Sequence, residues 1–223
     1  MNPNKFSLKY FVRDFIRRKV SPNTDIKKGF GFSLLLTLFL LGCSPSIKNL
    51  NSTGENVVCF GDSITYGVGA EEGKNYPFYL AQMIERNVIN AGVSGDTTMS
   101  ALRRIKRDVL DKNPYLVIVE LGGNDFLRKM PLKETLRNLE EIITHIQGKG
   151  AIVVLCDVST GFIMRGYSVH LGKIARKHGA VFIPHLLEGI INNLKLKSDY
   201  IHPNSKGYKI IAQRIYAAIK PYL

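Results

Sequence analysis

The sequence predicts a three-layer α/β/α sandwich, in which helices cover both faces of a parallel β-sheet. Short apolar runs rich in Val and Ile alternate with longer segments whose apolar residues recur every three or four positions. Such runs are typical of strands buried on both faces, and their alternation with helices is typical of right-handed crossovers between parallel strands. The 223 residues suffice for one domain with a full core, and the content of 45% apolar and 22% charged residues is that of a globular protein.

Five apolar runs are predicted to form the strands. The first, Val-Val-Cys-Phe, stops at Gly61, and the third stops just before Gly122. The strands are predicted over residues 57–60, 88–89, 115–121, 151–155 and 181–183.

Helices are predicted between the strands, because apolar residues recur there at helical spacing. Over residues 131–147 the Leu and Ile positions share one face, and Gly148 is expected to end the helix. The helix over 98–111 also carries a basic face, for which exposure to solvent is the expected interpretation and nucleic-acid binding the alternative. That face holds Arg103, Arg104, Lys106 and Arg107. The other helices are predicted over residues 76–85, 169–178 and 205–218.

The first 42 residues are predicted to be a targeting segment. Residues 29–42 are apolar or small throughout and follow a basic region that ends in Lys27 and Lys28, as in a signal peptide. This run is shorter than the about 20 residues that a bilayer span needs. It ends in Leu-Leu-Gly followed by Cys43, which resembles the lipobox of bacterial lipoproteins. We therefore expect cleavage before Cys43 and lipidation of its thiol; an uncleaved anchor and a plain secretory signal are the alternatives.

A lipidated Cys43 would make the mature protein an exported, membrane-anchored lipoprotein on the periplasmic or surface side. Residues 43–54 are polar and aperiodic and are predicted to be a tether, followed by the catalytic domain over residues 55–223. The formal net charge of the whole chain is +13, of which residues 43–223 contribute about half. This excess suits contact with an anionic surface such as phospholipid head groups.

A serine follows the first predicted strand at the position where α/β proteins usually bind ligands. In an open parallel sheet, ligands bind outside the carboxyl ends of the strands, and Ser63 stands two residues after Gly61. A serine hydroxyl needs a base and a group that orients the base before it can act as a nucleophile. Asp199 precedes His202 by three residues, so its carboxylate can hold one ring nitrogen while the other nitrogen acts as the base.

Glycine amides and an asparagine side chain supply possible donors for an oxyanion hole. Gly95 lies in a Ser-Gly-Asp-Thr turn, and Asn124 lies in Gly-Gly-Asn-Asp just after the third strand. The neighbouring carboxylates Asp62 and Asp125 are expected to be structural and to accept hydrogen bonds from loop amides. No metal site is predicted, because no His, Cys and Asp cluster has ligand spacing. A Gly-x-Ser-x-Gly elbow is absent, since Thr65 stands at the second glycine position.

Four blocks of this sequence resemble, in order, those of the SGNH (GDSL-type) hydrolases. They are Gly61-Asp62-Ser63, Gly95, Gly122-Gly123-Asn124-Asp125 and Asp199-x-x-His202. The flanking residues are similar to the lysophospholipase, thioesterase and arylesterase branch of that family. The resemblance implies a five-stranded, flavodoxin-like sheet without a cofactor. It also implies a catalytic triad of Ser63, His202 and Asp199, with an oxyanion hole made of the Ser63 and Gly95 amides and the Asn124 side chain.

The strand order that the resemblance implies also bears on the cysteines. It places one strand between those that carry Cys59 and Cys156. Neighbouring strands lie about 4.8 Å apart, so two steps exceed the reach of a disulfide. We predict two free, buried thiols.

Three functions are compatible with these residues. The first is an esterase or thioesterase acting on small-molecule or lipid esters, and the second is an O-acetylesterase of carbohydrate or peptidoglycan. The third is a non-catalytic surface lipoprotein that binds a ligand in the same groove. The loop over residues 160–167 carries Phe162, Ile163 and Met164, which would form an acyl-pocket wall or simply pack onto the domain. No nucleic-acid partner is expected.

Overall fold

A five-stranded, all-parallel sheet forms the centre of the domain. The computed structural model describes residues 46–159 and 165–223, so the targeting segment, Cys43 and the loop residues Phe162, Ile163 and Met164 lie outside the described residues. The strands are β1 (Asn56–Gly61), β2 (Val88–Gly92), β3 (Pro114–Glu120), β4 (Ile152–Cys156) and β5 (Val181–Ile183). Their order, β2-β1-β3-β4-β5, confirms the predicted flavodoxin-like sheet.

Helices cover both faces of the sheet, as the alternating pattern predicts. In chain order they are α1 (Ser63–Tyr66), α2 (Tyr76–Ala81), α3 (Thr98–Asp108), α4 (Gly123–Leu127), α5 (Leu132–Gly148), α6 (Arg165–His178) and α7 (Ser205–Ile219). Short 3-10 turns follow α3 and α7, at Leu110–Lys112 and Lys220–Tyr222.

Successive residues of each strand enter two separate cores. Val57 and Cys59 pack with α2 and α7 on one face, whereas Val58 and Phe60 pack with α3, α5 and α6 on the other. All four side chains are fully buried. This two-sided burial follows from the alternation of side chains along a strand, and it explains why the strands are continuous apolar runs.

Several element boundaries differ from the prediction. Helices α1 and α4 were not predicted, because single helical turns are too short to show periodicity. Helix α2 ends at Ala81 instead of residue 85, since the chain turns back toward β2 while Met83 and Ile84 still pack against the core. Helix α5 continues through Gly148, and the left-handed residue that follows it is Gly150, at φ 84°.

The described part of the predicted tether, residues 46–54, is attached to the domain. The Lys48 amide donates to the Gly179 carbonyl at 2.9 Å, and the Asn49 side chain donates to the carbonyls of Gln147 and Ala151 at 3.0 and 2.9 Å. Ile47 packs against the core on the α7 side. The chain therefore joins the domain at the edge where the strands begin.

Both cysteines within the described residues are free and buried, as predicted. Strand β3 lies between the strands that carry them. Burial raises the pKa of Cys59 to about 12, so this thiol stays protonated and unreactive at neutral pH. Among the described residues, no helix combines the length and the apolar character needed to span a bilayer.

Candidate active site

Ser63 lies at the carboxyl end of β1, where the strand order reverses between β1 and β3. Such a switch point is the usual ligand-binding crevice of a doubly wound sheet. Asp62 caps α1, and its Oδ1 accepts a hydrogen bond from the Ile64 amide at 3.0 Å. This cap places Ser63 in the first turn of α1, with 9% of its surface exposed.

The structure brings Ser63, His202 and Asp199 into one chain of hydrogen bonds. His202 Nδ1 lies 2.7 Å from Asp199 Oδ2, and His202 Nε2 lies 2.9 Å from Ser63 Oγ. An ionised carboxylate can only accept, so the hydrogen of the ring is on Nδ1. Nε2 is therefore free to accept the hydroxyl proton of Ser63. This is the geometry in which histidine acts as a general base.

Asp199 is fixed as an anion beside His202. Although slight burial acts to raise the pKa of Asp199, hydrogen bonds from the His202 ring and from the amides of Ile201 and His202 lower it to about 2. These amides donate to Oδ1 at 2.9 and 2.8 Å, while Oδ2 receives the ring nitrogen. Asp199 therefore both shapes the turn and orients the imidazole.

A tight loop carries the histidine and packs against the segment after α1. The Ser198 amide donates to the His202 carbonyl at 3.0 Å. Gly69 lies against this loop with φ 88°, and a Cβ at that position would come within 2.7 Å of the Pro203 carbonyl oxygen. Both the left-handed backbone and the close approach favour glycine there. The loop therefore holds His202 at a defined distance from Ser63.

Two backbone amides near Ser63 are available as donors. Neither the Ser63 nor the Gly95 amide donates to an acceptor in the described part of the chain. Gly95 adopts φ 80°, which favours glycine, and its carbonyl accepts a hydrogen bond from Arg128 at 2.8 Å. That contact holds the turn while leaving the Gly95 amide free.

The side-chain amide of Asn124, the predicted third oxyanion donor, already donates hydrogen bonds to other residues of the protein. Its Nδ2 donates to Asp62 Oδ2 at 2.9 Å and to the Asp96 carbonyl at 3.0 Å. Asn124 therefore links the Ser63 turn to the Gly95 turn. An oxyanion would have to replace or share one of these acceptors to use the Asn124 side chain. The structure thus brings Ser63, His202, Asp199 and Asn124 together, and Asn124 links the turn that carries Gly95 to them through Asp96.

An apolar cavity of about 260 Å³ opens beside Ser63 and His202. Asn124 and Asp62 line it on the polar side. The apolar part of its wall consists of Ile64, Phe126, Leu127, Val158, Leu187, Ile191 and Ile201. Apolar pockets with a few convergent polar groups are typical of small-molecule sites.

Comparison with known proteins assigns the chain to a family. A model described as the GDSL-like lipase/acylhydrolase family matches residues 59–210, more than half of the chain. The chain belongs to this family. The matched stretch runs from β1 into α7 and includes Ser63, Gly95, Asn124, Asp199 and His202. The predicted resemblance to the SGNH hydrolases is thereby confirmed.

Two relatives with named activities align with most of the sequence of this GDSL-type hydrolase. The chain is 26% identical to the esterase TesA of Pseudomonas aeruginosa over 83% of this chain and 98% of the relative. It is 25% identical to the thioesterase 1/protease 1/lysophospholipase L1 of Escherichia coli K12, over 76% of this chain and 86% of the relative.

A solved structure shows the same fold. The psychrotrophic esterase EstA of a Pseudoalteromonas species, inhibited by monoethylphosphonate, superposes with a TM-score of 0.68 at 26% identity. The match covers 75% of this chain and 98% of EstA. The solved chain of EstA therefore folds with almost nothing beyond the matched part, and both cores of the present domain lie within residues 47–222.

The buried carboxyl of Glu120, which is not among the predicted site residues, lies beneath the site of this GDSL-type hydrolase. Glu120, at the end of β3, is fully buried; its Oε2 accepts a hydrogen bond from Thr65 at 2.8 Å, and its Oε1 meets no partner among the described residues. Burial, together with the nearby charge of Asp62, raises the pKa of Glu120 well above its ordinary value, which favours its protonated form. The sequence marks this group only by one acidic residue at the end of an otherwise apolar strand.

The two structural carboxylates hold the site together in different ways. Burial raises the pKa of Asp62 to about 6, against hydrogen bonds from the Ile64 amide and the Asn124 side chain that lower it. Asp125 accepts from the Thr98 amide at 2.9 Å and from the Thr135 hydroxyl at 3.2 Å, which ties α4 to α3 and α5. Both carboxylates accept backbone amides, in agreement with the prediction.

Only part of the basic face predicted for α3 is exposed to solvent. Arg104 is 10% exposed and donates to Asp96 Oδ2 at 2.6 Å and to the Gly61 carbonyl at 3.0 Å. It points inward because these acceptors lie at the carboxyl ends of the strands, beside the site. Lys106 and Arg107 do lie on the surface, paired with Asp111 and Asp108.

No group of three or more His, Cys, Asp or Glu side chains that could hold a metal ion occurs within residues 46–159 and 165–223.

Proposed function

We propose that this GDSL-type hydrolase is a serine esterase that cleaves carboxylic esters and thioesters through an acyl-enzyme. The observation that carries the proposal is the hydrogen-bonded chain from Ser63 through His202 to Asp199, open to an apolar cavity. The family assignment and the esterase and thioesterase relatives support the same class of reaction.

The geometry supports the following steps. His202 Nε2 accepts the proton of Ser63 Oγ as the oxygen attacks the substrate carbonyl carbon. Asp199 stabilises the imidazolium that forms, because its carboxylate remains ionised. The oxyanion accepts hydrogen bonds from the amides of Ser63 and Gly95, and from Asn124 once it exchanges one of its present acceptors. His202 then protonates the leaving alcohol or thiol, and water clears the acyl group by the same route.

The cavity supports substrates with an apolar acyl group. Its wall next to Ser63 is formed mainly by aliphatic and aromatic side chains, among them Phe126, Leu187 and Ile191. Burial of each methylene of a substrate in such a wall contributes about 0.8 kcal/mol. An acetylated sugar offers a single methyl group to this wall and leaves most of it unfilled. We therefore favour acyl esters over carbohydrate O-acetyl groups.

A substrate panel tests this proposal. Aryl esters of increasing acyl length, an acyl-CoA, a lysophospholipid and an acetylated xylooligosaccharide are compared with the purified domain. We expect kcat/KM to rise from acetyl to longer acyl esters, with the acetylated sugar poorest. Preference for the sugar would favour an O-acetylesterase. If no substrate is cleaved and Ser63 does not react with an organophosphonate, the protein binds a ligand without catalysis.

Matched serine variants separate catalysis from folding. Ser63→Ala should remove activity and phosphonate labelling while the urea midpoint stays close to that of the parent. Ser52→Ala is the control, because the Ser52 hydroxyl meets no partner among the described residues and lies at the opposite edge of the sheet. It should retain full activity.

We also propose that the protein is exported and anchored in a membrane through a lipidated Cys43. The apolar run that ends in Leu-Leu-Gly-Cys43 supports this. Cells fed a labelled fatty acid should incorporate the label into the parent chain and not into Cys43→Ser. Label in the variant would exclude lipidation at this residue.

A further inference from the structure

The described chain enters the domain at the edge opposite the active site. Lys48 and Asn49 bind backbone carbonyls that immediately precede β5 and β4, so residues 46–54 lie where the strands begin. Ser63 and Asn124 follow the carboxyl ends of β1 and β3. We call these two sides the amino edge and the carboxyl edge. Strand β3, with 7 residues, separates them by about 23 Å, at 3.3 Å per residue.

Few residues separate Cys43 from the amino edge. Two residues stand between Cys43 and Ser46, so three peptide steps of at most about 3.6 Å each connect the two. The apolar run 29–42 directly precedes Cys43. If the chain is attached to a membrane at Cys43, a span of at most about 11 Å connects that attachment to Ser46 at the amino edge.

The amino edge carries several exposed lysines. Lys48, Lys112 and Lys149 are exposed and form no salt bridge with any described residue. Of the acids next to them in this region, Glu55 is exposed, and Asp111 is paired with Lys106. A lysine close to an anionic lipid surface contributes about 1 kcal/mol to binding.

The surface between these lysines is polar. A recess of about 360 Å³ in the amino edge is lined by Lys149, Asn51, Asn113 and the residues around them. Its polar lining suits head groups and water and offers no site for an acyl chain. The apolar cavity lies at the carboxyl edge instead.

We propose that the amino edge docks on an anionic phospholipid bilayer, and that the active site consequently faces the aqueous phase away from that bilayer. Substrate then reaches Ser63 from solution or from a facing structure, and not by lateral diffusion within the anchoring leaflet. The upstream chain enters the domain at this edge, and the unpaired lysines lie on the same edge, so both favour a bilayer as the occupant. The proposal does not depend on which ester is cleaved.

Vesicle binding by the domain without its anchor tests whether the lysines of the amino edge bind anionic lipid. Residues 46–223 contain both cores and can be sedimented with vesicles of phosphatidylcholine, with and without phosphatidylglycerol. We expect salt-sensitive binding to the anionic vesicles alone. Lys48→Gln, Lys112→Gln and Lys149→Gln together should weaken it by about 100-fold, since each cation contributes about a factor of five.

A second triple variant controls for net charge. Lys133, Lys206 and Lys209 are exposed residues in the first turns of α5 and α7, which begin at the carboxyl edge. Their replacement by Gln removes the same three positive charges from the protein. Because these lysines lie far from the amino edge, vesicle binding should stay within about twofold of that of the parent. Equal weakening by the two triple variants, or binding that ignores phosphatidylglycerol, would overturn the proposal.

Orientation is measured with an environment-sensitive dye on single introduced thiols. Asn51→Cys labels the amino edge and Tyr200→Cys labels the His202 loop, where the tyrosine is 89% exposed. The native Cys59 and Cys156 are buried and remain unlabelled. On anionic vesicles we expect the dye at residue 51 to report a less polar environment and the dye at residue 200 to stay unchanged. The opposite pattern would show that the active site faces the lipid.

Discussion

Replacement of the buried Glu120 by glutamine should change how stability depends on pH. A carboxyl group whose pKa is higher in the folded than in the unfolded chain stabilises the fold fully below its unfolded pKa. That contribution is lost as pH rises toward the folded pKa. The ordinary pKa of this group is 4.5, and burial raises it well above that value in the fold. The parent protein should therefore lose stability as pH rises above about 4.5.

The size of the effect follows from linkage. In this window the folded state binds one proton more than the unfolded state, so the free energy of unfolding falls by about 1.4 kcal/mol per pH unit. Glu120→Gln cannot ionise, and its amide oxygen can still accept the hydrogen bond from Thr65. The variant should match the parent near pH 5 and exceed it by about 1.4 kcal/mol for each further unit over which Glu120 stays protonated.

Urea unfolding of both proteins at several pH values measures this difference. Asp62, whose raised pKa is about 6, adds a slope of the same sign between its ordinary pKa of 3.8 and about 6 in both proteins, so it largely cancels. Glu72→Gln is the matched control, because Glu72 is exposed, and its curve should parallel that of the parent. If the Glu120→Gln curve also runs parallel to the parent curve, Glu120 is not the buried protonated group that the structure indicates.

Three further substitutions test other parts of the site. Asn124→Ala should lower kcat for an aryl ester by about 10²–10³-fold, the usual cost of one oxyanion donor. A kcat within threefold of the parent would mean that Asn124 keeps its bonds to Asp62 and Asp96 throughout the reaction. Asp199→Asn should lower kcat by about 10³–10⁴-fold, since an amide no longer holds the required tautomer of the histidine. A KM effect without a kcat effect would contradict that role. Arg104→Met should cost about 3–5 kcal/mol in urea unfolding, because it leaves Asp96 buried without its partner, whereas the exposed neighbour variant Arg103→Met should cost less than about 0.5 kcal/mol.

The residues that hold the proposed chemistry were predictable because each directly follows a strand or opens a turn. Gly61, Gly95 and Gly122 mark those places in the sequence, and polar residues follow them at once. A parallel sheet brings the carboxyl ends of its strands to one edge, so separate polar turns must converge. The pairing of His202 with Ser63, 139 residues apart, needed only this topology in addition to the motif.

The supporting contacts were not predictable, because they depend on side-chain directions across elements. Arg104 has the spacing of a surface residue on α3, yet it turns inward to reach Asp96 and the Gly61 carbonyl. Leu187 and Ile191 line the cavity from the irregular stretch after β5, where no periodicity marks them. The Asn124 contacts join two turns whose separation the sequence does not encode locally.

The separation of the two edges leads to one last consequence. Within the part of the chain that the structure describes, the lysines of the amino edge and the residues around Ser63 share no hydrogen bond or salt bridge, and the sheet lies between them. Substitutions that are more than about 10 Å apart and have no shared partners add within a few tenths of a kcal/mol. Loss of the three lysines should therefore leave kcat on a soluble ester unchanged, and Ser63→Ala should leave vesicle binding unchanged. If the lysine variant changed kcat, or if Ser63→Ala changed vesicle binding, the bilayer contact would have to reach the catalytic edge. That result would contradict the proposed orientation.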